Sequence, residues 1–90
     1  MSRTILTTEI RTEQDVVALR QRAKQIAASL GFELQDQTRI ATAVSEIARN
    51  AYRYAGGGRA EFGVEQTPPP GYLTVRVTDP GGRTRTVYDA

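Results

Sequence analysis

One long apolar stripe most narrows what this chain can fold into. Ile40, Val44, Ile47, Ala48, Ala51 and Ala55 fall within a narrow arc at roughly 100° per residue, and Gly56-Gly57-Gly58 stops the run at once. That spacing predicts a helix with a single apolar face, and such a face must be covered by a second layer. Two alternating stretches follow. Ala60, Phe62 and Val64 interleave with Arg59, Glu61 and Glu65, and Leu73, Val75 and Val77 interleave with Thr74, Arg76 and Thr78. A period of two predicts half-buried strands.

Upstream, Thr4 to Arg11 is rich in β-branched residues and predicts a first strand. Thr12-Glu13-Gln14-Asp15 has the spacing of a capping box. Val16, Leu19, Ala23, Ile26 and Leu30 then form a second apolar stripe, closed by Gly31. Asp36 is placed to cap the longer helix. The three prolines of Gln66 to Gly71 make a stiff connection, and Asp79-Pro80-Gly81-Gly82 reads as a turn followed only by a short polar tail. The order strand, helix, helix, strand, strand predicts an α+β two-layer sandwich, with two helices packed on a small, mainly antiparallel sheet. Three strands leave an edge open, so the sheet looks unfinished and a homodimer through that open edge is expected.

Ninety residues make one domain, 1–90. The chain has neither Cys nor His, which excludes a disulfide framework, thiolate or imidazole metal sites, and Ser-His or Cys-His nucleophilic pairs. A proton-transfer group would have to be a carboxylate, or else Tyr or Lys24. A net charge of +2 with scattered arginines argues against a nucleic-acid partner. No apolar run is long enough to span a bilayer and the polar N-terminus is no signal peptide, so no membrane partner and a cytoplasmic location are expected.

Two segments carry candidate chemistry. On the second helix, Glu46 and Asn50 are four apart and Arg53 three further on, so a carboxylate, a carboxamide and a guanidinium share one outward face about 130° from the apolar stripe. On spacing alone a solvated helix face is the favoured description, and Asn, a poor helix former to keep there, weighs only slightly against it. After the last strand comes Thr78-Asp79-Pro80-Gly81-Gly82. An Asp beside glycine lets the backbone approach a flat ligand while the carboxylate accepts from an exocyclic amine. Taken alone, the same composition is that of a plain β-turn.

Together the segments A-V-S-E-I-A-R-N-A-Y-R-Y-A (43–55) and V-R-V-T-D-P-G (75–81) resemble the GHKL (Bergerat-fold) ATPases. Within that group the chain looks most like the anti-sigma-factor regulatory serine/threonine kinases, especially the switch-kinase branch. Residues 36–58 carry most of the likeness, S-L-G-F at 29–32 adds to it, and together it extends over roughly 9–81. The resemblance implies the N-terminal portion of a histidine-kinase-like ATPase domain, an incomplete Bergerat fold that uses ATP and Mg²⁺. It implies that Asn50 coordinates the Mg²⁺ bridging the phosphates and that Glu46 is the base activating the attacking hydroxyl or water. Arg53 would be a basic phosphate contact, Tyr54 an aromatic lining the nucleotide, Asp79 the acceptor for the adenine amine, and Gly81 the first glycine of that box.

Two departures matter. The family box reads D-x-G-x-G, whereas Arg83 stands here at the second glycine position, and no glycine-rich lid motif follows within the ninety residues. The resemblance therefore implies an ATP-binding regulatory kinase domain of the partner-switching type, weakly active or inactive in this form, with an anti-sigma antagonist type of protein partner. The alternatives are a nucleotide-free protein-interaction module and the ATP-binding part of a sensor histidine kinase.

Overall fold

The capping box at Thr12–Asp15 forms as its spacing predicts: the Asp15 amide donates to Thr12 Oγ1 at 3.1 Å, and the Arg11 and Thr12 amides donate to Asp15 Oδ2 at 2.8 and 3.0 Å. These donors, the Arg11 amide foremost, hold the Asp15 carboxyl below its ordinary range. In the computed structural model, which describes residues 2–65 and 72–89, the box starts helix α1 (Glu13–Ser29). The helix ends in a Schellman closure. Gly31, at φ 88°, donates to Ala28 O at 3.0 Å, and Phe32 donates to Ala27 O at 3.1 Å. Val16, Leu19, Ala23 and Ala27 form its buried face. Leu30 is 41% exposed because it follows the last helical residue and swings off the stripe, and Ala27 takes the core position instead.

Helix α2 (Leu34–Ala55) begins earlier than Asp36. Glu33 is the cap residue without a side-chain cap bond, and the Gln37 side-chain amide donates to Phe32 O at 2.8 Å. Leu34 and Gln35 are good helix formers and nothing stops the helix before Asp36, which sits in the first turn and pairs with Arg39 at 3.1 Å. Ile40, Ala41, Val44 and Ala48 are buried. Ser45, also buried, donates to Thr42 O at 3.0 Å and accepts from Arg20 of α1 at 3.3 Å, so this polar group is satisfied within the interhelical layer. Arg49 adds a 3.2 Å ion pair to Glu13 at the start of α1.

The strands are β1 (Ser2–Ile10), β2 (Gly58–Glu65), β3 (Tyr72–Thr78) and β4 (Thr84–Asp89), joined in one antiparallel sheet of order β1-β2-β3-β4. The α+β sandwich predicted from the periodicities is therefore the observed architecture. The fourth strand corrects the expectation of a polar tail. Thr84, Thr86 and Val87 are β-branched, and the Asp79–Arg83 turn folds this segment back on β3, with Thr78 opposite Thr84 and Val75 opposite Val87. The Gln66–Gly71 connection lies outside the described residues.

Leu6, Phe62, Val75 and Val87 are successive cross-strand partners and belong to the core under the helices. The opposite face carries polar and charged rows such as Thr7, Glu61, Arg76 and Thr86. On edge strand β1 a register shift leaves Ile5 unpaired in a bulge, 43% exposed. Between α2 and β2 the chain passes so close to β1 that a Cβ at Gly57 (φ 135°) would collide with Ile10 O, so only glycine fits there.

Candidate functional site

The C-terminal half of α2 and the β3–β4 hairpin enclose a cleft of about 580 Å³, within the usual range for a small-molecule site. Helix α2 supplies one wall. Ile47, Ala51 and Ala55 make it apolar, while Asn50 and Tyr54 edge it on the polar side. These positions follow i, i+3, i+4, i+7 and i+8, one continuous strip of helix surface. Val77 of β3 adds to the apolar surface, and Asp79, Gly81, Arg83 and Arg85 form the facing wall.

The facing wall is built on Asp79. Its Oδ1 accepts from the amides of Gly81 at 2.9 Å and Arg83 at 3.0 Å. Its own amide donates to Arg83 O at 2.9 Å, its carbonyl accepts from Gly82 at 3.0 Å, and the hydroxyls of Thr78 and Thr84 meet at 3.1 Å below the loop. The Asp thus closes the turn with one carboxylate oxygen. Oδ2 meets no donor among the described residues, which leaves it for a ligand. Asp79 also borders a second hollow of about 360 Å³ at the ends of β1 and β3.

Of the six residues singled out from the sequence, Asn50, Tyr54, Asp79 and Gly81 come together around the cleft. Asn50 is exposed and Tyr54 is 83% exposed, so both are open to a ligand. Glu46 and Arg53 are exposed on the same helix but do not line the cleft. The turn reading of Asp-Pro-Gly also holds, since Asp79 does hold a turn. Ile47 and Ala51 pack against the core as the apolar stripe predicts, but they stay half-buried and, with Ala55, also line the cleft. Arg85 lies in the segment whose polar composition predicts a tail, and the β-rich run T-R-T-V-Y at 84–88 is the sequence signal that points instead to a strand.

The chain is 52% identical over 68 residues to serine/threonine-protein kinase RsbT of Bacillus subtilis (strain 168), a match covering 76% of this chain and 50% of the relative. The chain resembles the anti-sigma-factor regulatory kinases of the GHKL group. It spans half the length of the RsbT kinase. No family model matches it, and no solved structure does. No described helix is long and apolar enough to cross a membrane.

A divalent ion has few protein donors to draw on. Among the described residues no group of three or more acidic, His or Cys side chains converges. The Asn50 amide oxygen is a hard donor at the cleft edge, and Mg²⁺ commonly takes one or two protein oxygens beside phosphate and water. That donor set fits an ion shared with a nucleotide and does not fit an all-protein cage.

Proposed function

We propose that residues 1–90 are the nucleotide-binding N-terminal portion of an ATP-dependent regulatory protein kinase of the partner-switching type, with a protein antagonist as its partner. The observation that carries this reading is the meeting of Asn50 and Asp79, 29 positions apart, across one cleft with an apolar floor. In it the adenine lies against Ile47, Ala51 and Val77, and its amine donates to Asp79 Oδ2. Gly81, without a side chain, lets the flat ring approach the backbone on that side, and Tyr54 covers the outer edge. Asn50 would hold a Mg²⁺, which when bound would supply positive charge to offset that of the phosphates. Glu46, one turn before Asn50, and Arg53 both lie outside the cleft lining, and their roles as base for the attacking hydroxyl and as phosphate contact rest on the resemblance alone.

Isothermal titration of the 90-residue chain with Mg-ATP tests this. Saturable, Mg-dependent binding that Asn50→Ala abolishes is the expected result. Silence at millimolar ATP refutes it and favours the nucleotide-free interaction module. For that module the supporting observation is that β1 and β4 form the two edges of the sheet. The same edges are where a second copy pairs in the proposed homodimer, and a concentration-independent monomer mass in light scattering would remove that part.

A further inference from the structure

We propose that Arg83 and Arg85 form an anion seat on the hairpin wall of the cleft, which takes the phosphate chain of a nucleoside triphosphate. The proposal rests on the nucleotide reading for the identity of the ligand, but on the hairpin alone for the seat. Arg85 lies opposite Val77, which is buried under the helices, and two residues before the core residue Val87. Cross-strand partners share a face, so Arg85 belongs to the helix side of β4 and lines the cleft. Arg83 is pinned at the rim, since its amide and its carbonyl are both bonded to Asp79.

Charge points the same way. Arg39 and Arg49 meet carboxylates at 3.1 and 3.2 Å, whereas among the described residues neither Arg83 nor Arg85 does. Among the described residues Asp79 is the only carboxylate lining the cleft, and one of its oxygens already accepts two amides. Two arginines beside one carboxylate on the same wall leave that wall net positive, and the planar guanidinium fork matches phosphate oxygens. Arg83 stands where the resembling family has glycine, so this contact is a property of the present chain.

The test compares inorganic triphosphate, Mg-ATP and adenosine by calorimetry, with the chain's fold checked by circular dichroism. In the wild type, triphosphate and Mg-ATP should bind with an affinity that falls as salt rises. The double variant Arg83→Gln/Arg85→Gln should weaken both by about tenfold or more and leave adenosine unchanged. Arg22→Gln/Arg76→Gln removes the same charge at exposed positions outside the cleft and should have little effect. The proposal is overturned if the wild type fails to bind triphosphate, if the cleft variant binds as the wild type does, or if the control pair loses as much. An edge-protecting role for Arg85 alone predicts the second of these results. If the triphosphate result holds while Asp79→Asn and Asn50→Ala leave Mg-ATP binding intact, the seat stands and the nucleotide reading falls. The converse pattern removes the seat and keeps the reading.

Discussion

One carboxylate oxygen of Asp79 closes the turn and the other is the proposed acceptor for the adenine amine, and two substitutions separate these roles. Asp79→Ala removes both bonds that Oδ1 accepts, from Gly81 at 2.9 Å and Arg83 at 3.0 Å. Each such bond is worth about 0.5–1.5 kcal/mol net, and the loop is solvent-exposed, so a loss of about 1–2 kcal/mol is expected. In a domain of this size that lowers Tm by about 5–15 °C. Asp79→Asn keeps a carbonyl oxygen for the two amides, so its melting point should fall by no more than about 3 °C. Towards a ligand, however, it replaces an acceptor with an NH₂ donor. Facing the adenine amine, that reversal should weaken Mg-ATP by about tenfold to a hundredfold, or roughly 1.4–2.7 kcal/mol. Thermal melts by circular dichroism and titration calorimetry on both variants read the two effects independently. Undiminished Mg-ATP binding by Asp79→Asn would refute the adenine contact. A wild-type melting point for Asp79→Ala would refute the turn-closing role.

Glu46→Gln should leave stability within about 0.5 kcal/mol, since the side chain is exposed, and should leave Mg-ATP binding intact while lowering the weak ADP release of this chain at saturating Mg-ATP by about tenfold or more; unchanged ADP release removes Glu46 as the base. Phe62→Ala empties the largest fully buried position among the described residues and should cost about 3–5 kcal/mol, read from the denaturant midpoint, a large share of what so small a core holds. The folded-state pKa of Asp15 is depressed, so its contribution is complete above the unfolded value of about 3.9 and is lost as pH falls through the folded one. Asp15→Asn should therefore flatten the acid limb of the stability profile, and an unchanged limb would place the acid sensitivity elsewhere.

The helices were legible because their determinants are local. The Thr12–Asp15 box, the closure at Gly31 and the stripe from Ile40 to Ala55 each lie within a few turns of chain. β2 and β3 were legible for the same reason, through strict alternation. β4 was missed because its segment is mostly polar and becomes a strand only when the Asp79 turn delivers it to β3. Asn50 and Asp79 were chosen by residue type and by resemblance, but the distance between them is no property of either segment. It depends on how α2 lies across the sheet. The same placement separates Asn50 from Glu46 and Arg53: all share one face by count, yet the cleft follows the strip through Ile47, Ala51 and Ala55 and takes in Asn50 alone of the three.

The amino-acid sequence by itself determined the elements and their inward faces, because capping, helical closure and apolar periodicity act over the few residues that the backbone places side by side. Only the tertiary structure decided that a hairpin wall bearing Asp79, Arg83 and Arg85 stands opposite Asn50. That cleft exists because side chains from α2, β3 and β4 are brought together by burial of the layer between them, a contact of long range that no local pattern encodes.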